Sequence, residues 1–120
     1  MNLLIIALSA ATGPSGICRH AQNLVRAAII RREISRITLV IGKWQEAYFR
    51  SCFHLADAKL GHISIDISND AFSRNLWYLR EMPALANEAG ADVVHLSFPV
   101  PVQRNALDCP LVVSLHDLYP

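Results

Sequence analysis

The opening of the chain constrains its fold more than any other stretch. Residues 3–8 are an unbroken apolar run with Ile5 and Ile6 at the centre. A strand with one wet face alternates apolar and polar side chains. A run without alternation therefore belongs to a strand covered on both faces, as in the middle of a parallel sheet. Residues 9–16 follow, a cluster of small and turn-forming residues with no large side chain. Beyond it Ile17, Ala21, Leu24, Val25, Ala28 and Ile29 mark one face of an α-helix, while Arg19, Gln22, Asn23 and Arg26 mark the other. Ser15 is the expected N-cap, and Arg31 and Arg32 sit well near the C-terminal dipole of that helix. Residues 37–41 are apolar and rich in β-branched side chains, so they read as a second strand ending at Gly42. Strand, helix and strand in this order form a crossover unit, right-handed by the general rule.

The remainder repeats the alternation. Residues 43–53 carry Trp44, Tyr48, Phe49 and Phe53, and read as one or two helical turns whose aromatic rings serve core and lid packing. Residues 62–67 alternate Ile63, Ile65 and Ile67 with polar partners, the pattern of a strand nearer a sheet edge. Ser68, Asn69 and Asp70 are N-cap candidates for a helix running through Phe72, Leu76 and Leu79. Pro83 predicts a kink or a restart, and Gly90 the stop. Residues 92–96 and 111–115 read as two more strands, separated by a proline-bearing segment (97–101) too rigid for a helix. Five strands with two good helices make an α/β, doubly wound, mostly parallel architecture. The 120 residues, 52% apolar and 18% charged, fit a single domain. The last strand lacks the crossover that would cover it, so the sequence predicts an incomplete N-terminal piece of a longer protein, prone to self-association when isolated.

Charge and cysteine usage narrow the partners. Eleven Lys and Arg against ten Asp and Glu leave no one-signed field, so no nucleic-acid partner is expected, whereas a compact anionic ligand needs only a local site. Cys18, Cys52 and Cys109 form no C-x-x-C pair. They read as buried thiols of a reducing compartment rather than as disulfides or zinc ligands. No Lys or Arg precedes the N-terminal apolar run, which is also far short of the ~20 residues that span a bilayer, so it is not read as a secretory signal.

Ligands of open α/β sheets bind outside the C-terminal ends of the strands, and three groups fall there. The first is the turn with Gly13, Ser15 and Gly16, followed by Arg19. Its glycines permit a close backbone approach or a positive φ, and the helix after it presents amides and a positive dipole end to an anion. The spacing matches neither the dinucleotide fingerprint nor the P-loop, so an anion or sugar site and an ordinary strand-to-helix turn both remain open. Cys18, in the first helical turn, has no base nearby in sequence to make it a nucleophile. The second group is His95, read as a hydrogen-bonded core histidine, with Ser97 just beyond it at the mouth of the cleft. The third is His116 with Asp117, where the last apolar run gives way to two polar side chains. They read either as a pair hydrogen-bonding a hydroxyl-rich ligand or as a turn-capping Asp beside a supporting His. Arg31, Arg32 and Arg36 read as a solvated helix end, and Glu81 and Glu88 form no catalytic carboxylate pair.

Taken together, Gly13-Pro-Ser-Gly-Ile-Cys-Arg-His20 after an apolar first strand, a helix containing Asn23-Leu-Val-Arg26, Asp92-Val-Val-His-Leu-Ser97 and Val113-Ser-Leu-His-Asp-Leu-Tyr-Pro120 resemble the N-terminal half of family 4 glycosyltransferases. The resemblance implies the GT-B architecture of two Rossmann-like halves. Residues 1–120 would be part of the acceptor-side domain, and the donor-binding C-terminal domain would be missing. It implies retaining transfer of a sugar from a nucleotide diphosphate sugar to a hydroxyl of a polysaccharide, lipid-linked or small-molecule acceptor, with no metal or other cofactor. It also implies a cytoplasmic enzyme with peripheral contact to the inner face of the membrane. Carried over by position, Gly13, Ser15 and Gly16 form the turn beside the donor diphosphate or the acceptor. Arg19 is the basic residue inside the following helix, and Ser97 lines the cleft. His116 is the catalytic histidine that reaches the transferring sugar, with Asp117 beside it. The chain departs from the family in stopping before the donor half, so the segment by itself is expected to lack activity. The alternative is a non-catalytic α/β interaction module or a degenerate glycosyltransferase paralogue. The continuation beyond Pro120 separates the two.

Overall fold

The computed structural model of the protein describes residues 1–52 and 58–115. Five strands, β1 (Asn2–Ile6), β2 (Arg36–Gly42), β3 (Leu60–Ile65), β4 (Val93–Leu96) and β5 (Leu111–Val113), pair in the order β3-β2-β1-β4-β5. Every pairing is parallel. Among the described residues, four α-helices, α1 (Gly16–Ile29), α2 (Glu46–Cys52), α3 (Ala71–Arg80) and α4 (Met82–Glu88), flank the sheet. The fold is α/β and Rossmann-like, as the alternation predicts, with β1 at the centre. Because strand order reverses there, the switch point lies between β1 and β4.

The apolar run at the start is buried on both faces. Leu3, Ile5 and Ala7 face α1 and α2, packing with Ala21, Val25, Ile37, Leu39 and Phe49. Leu4, Ile6 and Leu8 face α3 and α4, packing with Val40, Trp77, Tyr78, Met82, Val94 and Leu96. Each Leu or Ile removed from water contributes roughly 1.5–3 kcal/mol, which accounts for the lack of polar alternation. On α1 the buried residues are Cys18, Ala21, Val25 and Ala28. The face is turned slightly from the periodicity reading, which began it at Ile17. On α3 the difference is larger: Trp77 and Tyr78 are buried, while Phe72 is 76% exposed. Five and six residues at ~100° each place Phe72 roughly 120–140° from them around the helix, so it cannot share their face.

The punctuation follows the sequence. Ser15 caps α1, its hydroxyl accepting from the Cys18 amide, and Asp70 caps α3 by accepting from the Ser73 amide. Those N–H bonds to a bare carboxylate also hold the Asp70 carboxyl below its usual pKa. Pro83 separates α3 from α4 at the start of the second helix, where its missing N–H costs nothing. Gly90 takes φ +66° just after α4, a left-handed turn that side-chain-bearing residues rarely adopt. The Asn2 side-chain amide donates to the carbonyls of Ala89 and Gly90, and Lys59 Nζ donates to those of Ile29 and Arg31. Both helix ends thereby gain partners from the N-terminal rim of the sheet.

At its far side the sheet is thinly covered. Val112 and Val113 of edge strand β5 are 47% and 38% exposed, and Leu115 is 61% exposed. Among the described residues, no helix is long and apolar enough to cross a membrane.

Candidate functional site

The chain leaving β1 forms the floor of the C-terminal rim, and four side chains from distant segments hold it. Gln45 is buried in the short 3₁₀ turn Lys43–Gln45 that follows β2. Its Nε2 donates to the Ala7 carbonyl and to Ser9 Oγ, both at 3.1 Å, and its Oε1 accepts from the Gly42 amide at 2.8 Å. Trp44 Nε1 donates to the Ser9 carbonyl at 2.8 Å, and Asn69 Nδ2 to the Ala10 carbonyl at 3.1 Å. The Tyr78 hydroxyl donates to the Leu8 carbonyl. Burial pushes that phenol far above its ordinary pKa, so it remains a neutral donor. Residues 7–10 are therefore a rigid ledge leading to the helix start rather than a loose loop.

Beyond the ledge, Gly13 and Gly16 have negative φ, and a Cβ placed on either would meet no atom within 4 Å. Of the two roles open to these glycines, positive φ is excluded and room for approach remains. Gly16 is exposed at the first helical position. In the first turn the Cys18 amide donates to Ser15 Oγ and the Arg19 amide to the Ser15 carbonyl. Arg19 is exposed one turn into α1, and Cys18 is buried, with Gln45 Nε2 3.6 Å from its sulfur.

A polar cluster not anticipated as a unit lies across from this turn. His95, on the α1 side of β4, and His20, on α1, both place Nε2 against Ser114 Oγ, at 2.7 and 2.9 Å. The two rings are 5.9 Å apart between centroids. Burial, together with the neighbouring His20, lowers the pKa of His95, so its neutral form is favoured at neutral pH. The expectation of a hydrogen-bonded His95 holds, but the residue is only half-buried and belongs to the rim rather than to the core. Ser97 is a correction. It is wholly buried, with its amide donating to the Ile6 carbonyl at 3.1 Å, because the β1–β4 ladder continues one residue past the strand and carries Ser97 inward. It does not open onto the mouth of a cleft. His116 and Asp117 lie outside the described residues.

Of the anticipated residues, the structure gathers Gly13, Ser15, Gly16 and Arg19 at the start of α1, and brings His95 to the same C-terminal edge. His20, Ser114 and Gln45 were missed. Apart from the Gly42 amide, three residues before Gln45, the partners lie 19 to 94 positions away, beyond the reach of any local pattern. Among the described residues, no group of three or more His, Cys, Asp or Glu is arranged to hold a metal ion. No protein-family model, curated protein or solved structure matches the chain.

Proposed function

We propose that this chain is the acceptor-side, N-terminal part of a retaining GT-B glycosyltransferase, which moves a sugar from a nucleotide diphosphate sugar to an acceptor hydroxyl. The observation that carries the reading is the glycine-bearing turn from β1 to α1, open to solvent and seated on a rigid ledge beside the switch point of a parallel sheet. A diphosphate leaving group gathers negative charge as the glycosidic bond breaks. Amides and a helix dipole fixed in its path stabilise that charge more in the transition state than in the ground state. In this reading Arg19 adds a positive charge near the same path, and His116 with Asp117 meets the transferring sugar. The donor nucleotide is held chiefly by a second Rossmann-like half outside these 120 residues, and no metal is required.

The test is turnover of nucleotide sugars by the full-length protein. His116→Ala is expected to lower kcat by roughly ten- to a thousandfold, the range for one positioned polar group. Gly16→Val is expected to fold, since a side chain there meets open space, yet to raise KM or abolish activity by blocking backbone approach. Full activity in both variants refutes the assignment. A full-length protein with no second ligand-binding half favours the non-catalytic module instead.

A further inference from the structure

We propose that the paired imidazoles of His20 and His95 form a subsite for one hydroxyl of a carbohydrate ligand, a place taken in this structure by the hydroxyl of Ser114. The proposal rests on the transferase reading for its ligand class and goes beyond it in assigning residues. Both Nε2 atoms converge on one sp³ oxygen, at 2.9 Å from His20 and 2.7 Å from His95. A hydroxyl brings one proton and two lone pairs, and a neutral imidazole offers at Nε2 either a proton or a lone pair. One ring donating and the other accepting satisfies all three groups, and each hydroxyl of a sugar offers the same combination. Because one ring must donate to the oxygen, the arrangement damps the nucleophilicity of Ser114, and a covalent role for it is not supported.

Charge separates the candidate ligands. An ammonium has no lone pair to accept a proton from either ring. An ionised phosphate oxygen has no proton to give, and the dianion is held strongly only when the rings are charged. Burial of His95 and its position 5.9 Å from a second imidazole both oppose that charge. The neutral pair therefore suits a neutral hydroxyl.

Ser114 is placed to yield its position. Its amide is tied to the Leu96 carbonyl at 3.0 Å, but its hydroxyl hangs on a single torsion, so one rotamer change withdraws it while the strand stays paired. Val112, two residues earlier on the same face of the edge strand and paired with His95 in register, is 47% exposed. It offers an apolar surface on which the C–H face of a sugar ring can rest while a ring hydroxyl reaches the imidazoles.

The experiment follows the histidine ring resonances of the full chain at about pH 8, where the unperturbed imidazole is neutral. The signals are assigned with His20→Gln and His95→Gln. The probes are methyl α-D-glucopyranoside, methyl α-D-mannopyranoside and inorganic phosphate. At least one sugar is expected to shift both ring signals saturably, and phosphate at equal concentration to leave them in place. Ser114→Ala is expected to tighten the sugar response by roughly thirtyfold, the equivalent of removing two competing neutral hydrogen bonds. No saturable shift with either sugar, an equal shift with phosphate, or an unchanged response in Ser114→Ala overturns the proposal. If Ser114→Ala does not fold, the comparison of sugar with phosphate in the unaltered protein decides alone. Turnover of nucleotide sugars without a sugar-induced ring shift rejects this subsite and leaves the transferase reading standing. A ring shift without turnover rejects only the transferase reading.

Discussion

Replacing Gln45 by Leu keeps the volume of a buried side chain and deletes its amide, so the cost isolates the hydrogen bonds that hold the ledge under the site. Gln45 is 1% exposed. Its three shortest contacts are to the Gly42 amide at 2.8 Å and to the Ala7 carbonyl and Ser9 hydroxyl at 3.1 Å. Leu strands a donor, an acceptor and a hydroxyl away from water, at about 1–3 kcal/mol each. The serine hydroxyl can reorient, and the leucine itself is cheaper to bury, so the expected net loss is ~3–6 kcal/mol. That is a large share of the roughly 5–15 kcal/mol that stabilises a typical domain. Urea unfolding followed by tryptophan fluorescence, to which Trp44 and Trp77 both contribute, reads the loss. Adding Ser9→Ala to Gln45→Leu removes one stranded group and is expected to return about 1 kcal/mol. A loss below about 1 kcal/mol for Gln45→Leu would mean that the ledge relaxes or admits water. The case for a rigid floor would then fail.

Three further perturbations test separate parts of the argument. Gly42→Ala places a Cβ 2.4–2.6 Å from atoms of the Trp44 ring. The ring is itself tethered to Ser9, so a loss of about 1–3 kcal/mol is expected in urea, and relief on adding Trp44→Leu confirms the clash as its cause. Ser15→Ala removes the cap of α1 and is expected to cost about 1 kcal/mol by the same measurement, with Ser15→Asp near neutral; equal losses in both variants refute a capping role. His95 has a folded pKa below its ordinary 6.5, so the unfolded chain takes up the proton more readily. Its contribution to stability is complete above that value and is lost as the pH falls through the folded pKa. The thermal midpoint is expected to drop between about pH 7.5 and pH 5.5, and to drop less in His95→Gln; identical pH profiles for the two proteins refute this.

Much of the fold was legible because it rests on local or periodic physics. The unbroken apolar run of residues 3–8 suits a strand buried on both faces better than one with a wet side, and it became the central strand. Ser15, Asp70, Pro83 and Gly90 act on backbone within a few residues of themselves, so their roles as caps, restart and stop can be read without knowing the neighbours. What a helix packs against is not local. The buried face of α3 turned to Trp77 and Tyr78, away from Phe72, because the far side of the sheet and not the helix's own period selects the phase. The site divides along the same line. The glycine-bearing turn after β1 announces itself by composition. Ser97 is turned inward by a ladder bond to Ile6, and Gln45 reaches back to Ala7 and Ser9 from the turn after β2. His20, His95 and Ser114 meet only because parallel pairing sets β4 between β1 and β5 and α1 packs across them. Hydrogen bonds between segments up to 94 residues apart depend on where the sheet places each strand end, and nothing in the sequence near either partner marks them.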